Sequence, residues 1–375
     1  MSETPPSGQP TSPKGALTLS EILSQPACWA KSLRDLEESG TLEAVARQFA
    51  RTQEWLFVGC GSSYYVAQSA AATLTELTGV RARATAASEL LLFPELALTA
   101  NQEVVPALIS RSGRTSEVLR AAEFVRGRGM ATLGISCAPG QTLEKMVARA
   151  IVLPAADEQS TVMTRSFTSM LLALQALAAT IAAKWDFLAG QRALPQLGDE
   201  LLHTLPQRVR EFVRAHSFED YVCLGQGPLY GVACESALKL TEMSVSYGQS
   251  FHTLEFRHGP KSIVNPKTLI LFLMSERAHM AELDVLEEVK RLGGTTLVVT
   301  NRAHERVRAA ADLLVELAAA GPESARLPLY VLVGQLMGLY TGIEKGFDPD
   351  RPRNLSRVVV LEEEDSPEAS KHAAI

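Results

Sequence analysis

The 375-residue chain has no block of basic residues, no Cys-x-x-Cys pair and few aromatics, only 6%. A net charge of −6 with so few rings offers neither the electrostatic footprint nor the stacking platform that nucleic acid requires. No nucleic-acid partner is expected. Five cysteines (Cys28, Cys60, Cys137, Cys223, Cys234) are odd in number and scattered, which argues against a disulfide framework. No charged n-region and apolar h-region open the chain, so a reduced, cytoplasmic protein is expected. The longest apolar stretch, Met170 to Ala183, is 14 residues and carries Gln175 and Thr180, short of the ~20 needed to cross a bilayer. No membrane partner is expected.

Hydrophobic residues make up 46% of the chain, enough for a sizeable core. Single cores stop growing near ~250 residues, so two α/β domains are the default. Residues 1–15 are rich in Pro, Ser and Thr, and residues 362–375 are acidic and small; both are expected to be loose tails. Between them short β-branched runs alternate with longer segments of helical period. The runs are Trp55 to Val58, Val104 to Ile109, Ala131 to Ser136 and Ala150 to Leu153, then Tyr221 to Leu224, Leu269 to Met274, Thr295 to Thr300 and Asp312 to Leu317. Such alternation predicts parallel sheets with helical crossovers.

The order of the first half returns in the second. Adding 166 takes Gly59 to Gly225, Gly61 to Gly227 and Thr73–Leu77 (TLTEL) onto Lys239–Met243 (KLTEM), and adding 164 takes Gly129 to Gly293. A duplicated fold follows, with domains over residues 45–185 and 209–345. The joint near Asp186 to Arg208 contains Gly190, Pro195, Gly198 and Pro206, which suits a boundary, while its apolar residues suggest a partly helical connector.

In doubly wound sheets, ligands sit beyond the carboxyl ends of strands, where helix N-termini present free N–H groups. Two loops of the first repeat suit an anion: Gly59-Cys60-Gly61-Ser62-Ser63, and Ser110-Arg111-Ser112-Gly113-Arg114-Thr115. Glycines allow close backbone approach, and the hydroxyls donate to phosphoryl oxygens without adding charge; Arg111 and Arg114 add attraction. Equally, both loops are what any strand-to-helix turn with Ser or Thr caps looks like. The second repeat has Met274, Glu276, Arg277 and His279 opposite Ser110, Ser112, Gly113 and Thr115. An acid there repels phosphate, so one phosphate site per chain is expected.

Glu235, Lys239 and Glu242 fall at i, i+4 and i+7 of a predicted helix and share a face. On spacing alone this is a solvated stripe with pairing worth ~0.2–0.5 kcal/mol. Further along, His258 precedes a Gly-Pro turn, and by itself decides little.

Taken together these residues resemble the sugar isomerase (SIS) domain proteins, in particular the tandem-SIS half of glucosamine-6-phosphate synthase and its stand-alone relatives. Six segments carry the resemblance: CGSS at Cys60–Ser63, SRSGRT at Ser110–Thr115, MTRSFTSM at Met163–Met170, ESALKLTE at Glu235–Glu242, HGP at His258–Pro260 and DPDRPRNLSR at Asp348–Arg357. The resemblance implies two tandem doubly wound α/β domains, each a three-layer sandwich, followed by an active-site tail at residues 346–361. It implies that Ser62, Ser63, Ser110, Ser112 and Thr115 hold the phosphate of a hexose 6-phosphate or amino sugar 6-phosphate, with Ser160, Thr161 and Thr164 lining the sugar. Glu242 matches the carboxylate that moves a proton between C1 and C2, Lys239 its polar partner, and His258 the histidine assigned to ring opening in a neighbouring subunit's site, hence a homodimer. The chemistry needs a positioned base and an imidazole near neutral pH; no metal and no cofactor are expected.

Two departures shape the expected activity. Only a short polar tail and one helical segment precede the first repeat, which makes glutamine-dependent synthesis unexpected. The family's tail lysine stands here as Arg357, whose guanidinium binds or polarises but forms no Schiff base. The expected reaction is therefore deamination with isomerisation, giving a ketose 6-phosphate and ammonia. A ketose/aldose phosphate isomerase, a fructosamine-6-phosphate deglycase and a non-catalytic phosphosugar sensor are the alternatives.

Overall fold

Two five-stranded sheets organise residues 13–98 and 103–361, which the structure, a computed structural model, describes. The first contains β1 (Glu54–Gly59), β2 (Arg81–Ala86), β3 (Val104–Ile109), β4 (Leu133–Ser136) and β5 (Arg149–Val152), in the order β2-β1-β3-β4-β5. The second contains β6 (Asp220–Gly225), β7 (Gly248–His252), β8 (Thr268–Leu273), β9 (Thr295–Thr300) and β10 (Leu313–Glu316), in the order β10-β9-β8-β6-β7. That is the first order met from the opposite edge. All neighbouring strands are parallel, and helices flank both sheets, so the duplicated α/β fold is present. Each sheet reverses direction once, at β1/β3 and at β6/β8, and a crevice opens there beyond the strand ends.

Strands β1, β3 and β8 are buried along their whole length, as the continuous apolar runs predict. Strands β2 and β7 lie outside those runs. They are edges, with sequences Arg-Ala-Arg-Ala-Thr-Ala and Gly-Gln-Ser-Phe-His and no fully buried residue. One helical segment is expected ahead of the first repeat; three helices stand there, Ala16–Leu23, Gln25–Ser39 and Thr41–Gln48. The expected loose ends lie outside the described residues except at 13–15, where the chain is already tied down. Lys14 Nζ donates to the Gly346 carbonyl (2.6 Å) and the Gly15 N–H to Asp348 Oδ1 (3.0 Å).

The joint is one 30-residue helix, Trp185–Arg214, with Pro195 and Pro206 inside it. A proline within a helix costs about 3 kcal/mol. The helix survives because Phe187, Leu194, Leu202, Leu205, Val209 and Phe212 recur at helical spacing and are buried. Among the described residues no helix is long and apolar enough to cross a membrane.

Helix–helix packing brings the two halves together. Helix Ser62–Thr78 of the first lies against helix Leu229–Ser244 of the second, where Gly231 meets the Tyr65 carbonyl and Ser69, and Ser69 Oγ donates to the Pro228 carbonyl (2.8 Å). On its other side, helix Leu229–Ser244 packs on helix Leu327–Glu344 through Gly334, Gly338 and Gly342. A Cβ at any of the three would collide with Ser236, the Lys239 carbonyl or the Met243 carbonyl. Four-residue spacing puts these glycines on one face, and the contact fixes the helix that carries Glu235, Lys239 and Glu242.

Candidate active site

At the first switch point, β1 leads through Gly61 (φ 53°) into helix Ser62–Thr78, and β3 leads through the 110–115 turn into helix Ser116–Gly127. Neither helix has a side-chain cap at its N-terminus; the N–H groups of Ser63, Tyr64 and Tyr65 turn back onto the Cys60 and Gly61 carbonyls, so the hydroxyls are the donors that face the space between the loops. A cavity of about 210 Å³ lies between the loops, lined by Gly61, Ser62, Ser63, Arg111, Ser112, Thr115, Thr161, Met163 and Glu242 and roofed by Leu355–Val359 of the C-terminal tail. The tail is held by the N–H of Ser116, which donates to the Val359 carbonyl (3.3 Å), by the Leu361 N–H on Ser116 Oγ (3.0 Å), and by Arg111 on the Arg357 carbonyl.

Of the expected phosphate ligands, Ser62, Ser63, Ser112 and Thr115 line this cavity. Ser110 stands behind Thr115, their hydroxyls 2.9 Å apart. Thr161 lines the cavity, whereas Ser160 and Thr164 are buried in other contacts. Ser160 is held by Glu21 through its hydroxyl and its N–H (3.2 Å to the N–H). Thr164 is held by Glu158, its N–H and hydroxyl both 3.0 Å from one carboxylate oxygen. These two shape the loop rather than face a sugar.

Arg111, expected to add attraction for an anion, is engaged by the chain itself. It is buried, pairs with Glu158 (3.3 Å) and donates to the carbonyls of Ser160 (3.3 Å) and Thr161 (3.0 Å). A single guanidinium thus ties the 110–115 loop, the 158–161 loop and the tail together, using the multiple donors of its planar fork. Glu158 and Glu21, which anchor the same loops, carry no local motif in the sequence. Cys60 sits beside the cavity with its thiol 3.7 Å from Glu117. Burial, and then the Glu117 charge, push the thiol up to about 12, so it stays protonated and is no nucleophile.

The stripe on helix Leu229–Ser244 is not solvated. Glu235 and Lys239 are wholly buried, and Glu242 is 18% exposed and reaches the cavity. Lys239 Nζ lies 3.2 Å from Glu235, contacts Glu242, and donates to Ser62 Oγ (3.3 Å), which in turn donates to Glu235 (3.1 Å). A hydrogen-bonded chain therefore runs from the Ser62 loop of one half to Glu242 of the other. Burial pushes Glu235 up to about 8 against the pull of Lys239, and the Glu242 charge adds to the rise. Burial alone would lower Lys239, but its two carboxylates outweigh it and the ammonium is held above its usual range.

His258 is exposed, in the turn between Glu255–Arg257 and Pro260–Ile263, and does not line the cavity of its own chain. Arg357 does line it; its guanidinium pairs with Asp157 (2.8 Å). At the second switch point the equivalent donors are taken. Glu323 accepts from Ser275 Oγ (2.9 Å) and from the Glu276 N–H, and Glu276 pairs with Arg326. A carboxylate of the chain itself occupies these donors.

Fold and cavity define a class: a duplicated doubly wound α/β protein whose hydroxyl-lined cleft is shared between its halves. The chain belongs to the SIS domain family, whose sequence profile matches residues 48–180 and 220–341, one match on each sheet. It is 27% identical over 354 residues to glutamine–fructose-6-phosphate aminotransferase (isomerizing) of Pyrobaculum aerophilum, a match that covers 92% of this chain and 57% of that protein. The chain thus spans little more than half of such relatives. Glucosamine-6-phosphate deaminase of Thermotoga maritima superposes with a TM-score of 0.77 at 29% identity, covering 92% of this chain and 100% of the other. Tagatose-6-phosphate ketose/aldose isomerase of Escherichia coli, at 23% identity and a TM-score of 0.77 over 94% of this chain and 98% of its own, shares the fold.

Proposed function

We propose that the protein is a sugar phosphate deaminase/isomerase that converts an amino sugar 6-phosphate to a ketose 6-phosphate and ammonia. The observation that carries this reading is that Glu242 of the second half lines one cavity with Ser63, Ser112 and Thr115 of the first. Hydroxyls bind the ester. Once the ring is open, Glu242 takes the proton from C2 and returns it to C1, leaving an imine at C2. Water adds there and ammonia leaves, so substrate and water account for every atom of the products. Buried Lys239 places positive charge beside the carboxylate and the sugar oxygens. Arg357 binds substrate without forming an imine. His258 opens the ring from a second copy of the chain, which makes the working unit a dimer with shared sites. In this reading the domains span residues 45–185 and 209–345, and the tail at 346–361 closes the site.

Ammonia release from glucosamine 6-phosphate, followed with a coupled dehydrogenase, tests the proposal. Steady release dependent on the 6-phosphate supports it. Interconversion of ketose and aldose 6-phosphates without ammonia from any 2-amino sugar phosphate would replace it with an isomerase.

A further inference from the structure

A second cavity, of about 620 Å³, opens between helix Ala16–Leu23, the end of helix Trp185–Arg214 and helix Leu327–Glu344, and shares no residue with the first. Leu19, Leu23 and Ile343 give it an apolar wall, and Lys14, Arg210 and Tyr340 line it too, while no Asp or Glu among the described residues does. Arg210 is exposed and has neither a hydrogen bond nor a carboxylate partner among the described residues. Tyr340 is only 7% exposed, yet its hydroxyl also finds no partner among them and is not sealed from solvent. Buried phenols ordinarily find a partner. Burial raises this one above its usual range and the Arg210 charge opposes the rise, so guanidinium and phenol stand close together.

Two cations without an acid call for an anion. Lys14 already donates to the Gly346 carbonyl (2.6 Å), which leaves the Arg210 fork and the Tyr340 hydroxyl as free donors. A carboxylate suits both, accepting from the fork and from the phenol. The wall of Leu19, Leu23 and Ile343 asks for an apolar body, and a space of this size holds a small molecule rather than a lone ion. We propose that the cavity is an effector site for a monocarboxylate with an apolar chain.

Helix Ala16–Leu23 connects this cavity to the candidate active site. At its start, the Gly15 N–H bonds Asp348 (3.0 Å), and the N–H groups of Leu17 (3.0 Å) and Thr18 (2.8 Å) bond Asp350, in the tail that roofs the first cavity. Near its end, Glu21 accepts from the Gln159 N–H (2.6 Å), two residues before the Thr161 that lines that cavity. A ligand that bridges the helix to Arg210 and Tyr340 favours the docked helix, and with it the moored tail.

Calorimetric titration of the full chain with hexanoate, octanoate and octanamide tests the site. Octanoate should bind about 16-fold tighter than hexanoate, about 4-fold for each added methylene, and ~10-fold or more tighter than octanamide. Arg210→Glu should abolish the preference for acid over amide, and Tyr340→Phe should reduce it. Equal affinity for acid and amide in the wild type, or a preference that survives in Arg210→Glu, would overturn the site. Amide hydrogen exchange tests the coupling without any substrate. Octanoate should slow exchange ~5-fold or more at Ser116 and Leu361, whose N–H groups hold the far end of the tail (3.3 and 3.0 Å). Binding with no change there would overturn the effector role. Octanoate that binds only after residues 1–12 are deleted, or only while dissociating an oligomer, would make the occupant the chain's own leading segment or a second copy, and would overturn the proposal as well. Neither readout depends on ammonia release, so the deaminase reading stands or falls separately.

Discussion

Three ionisable side chains are stacked on one face of helix Leu229–Ser244, and their burial decides their charges. An unpaired charge is too costly inside a protein, so Lys239 draws both carboxylates to itself. Burial pushes Glu235 up to about 8, which favours its neutral form beside the Lys239 ammonium. A raised carboxyl pKa contributes stability below the unfolded value of 4.5 and loses it as pH climbs through the folded one. Wild-type Tm should therefore fall relative to Glu235→Gln as pH rises from about 5 toward 8, as calorimetry of both proteins across that window would check; parallel curves would contradict the assignment. At the ester end, Ser112→Ala with Thr115→Ala removes donors worth ~1–3 kcal/mol each to a charged group. KM for a 6-phosphorylated sugar should rise at least ~10-fold, with kcat changed far less, in steady-state kinetics.

Elements aim these residues, and the tail is the least obvious of them. Asp350 accepts from the N–H groups of Leu17 (3.0 Å) and Thr18 (2.8 Å) and from the Thr18 hydroxyl (2.7 Å). It thereby caps the first helix and moors the tail that roofs the cavity. Asp350→Ala should cost about 1 kcal/mol, as lost caps do, and should raise KM through a looser roof; a denaturant titration and a substrate titration read the two effects. The buried strands were legible in the sequence because two-sided burial demands unbroken apolar runs. The edges β2 and β7 were not, since their sequences, Arg-Ala-Arg-Ala-Thr-Ala and Gly-Gln-Ser-Phe-His, hold no such run, unlike the edges β5 and β10. The turns 60–63 and 110–115 were legible as glycine-hydroxyl loops after strands. The burial of Glu235 and Lys239 was not, because helical spacing gives a shared face without saying what covers it. What covers it is the first half of the chain, whose Ser62 hydroxyl bonds both Glu235 and Lys239. Likewise, the direction of Ser160 and Thr164 depends on Glu21 and Glu158, partners that no local pattern announces.

Across the whole molecule, duplication supplies two crevices; in the second, Glu323 occupies the Ser275 hydroxyl and the Glu276 N–H. Chemistry is thereby assigned to a seam between halves. His258 is exposed and outside its own chain's cavity, and under the proposed function it would serve a second copy. Mixing inactive Glu242→Gln with inactive His258→Ala should restore part of the activity, since one site of the mixed dimer keeps both groups. No recovery, with subunit exchange verified by mass spectrometry, would point to a self-contained site. The most direct measurement is proton exchange in deuterated water, with a hexose 6-phosphate bound to wild type or Glu242→Gln and followed by NMR. Wild-type protein should carry deuterium into C1 or C2, while Glu242→Gln should bind the ligand with similar affinity and leave both positions unlabelled. Labelling at the wild-type rate in Glu242→Gln would contradict the account.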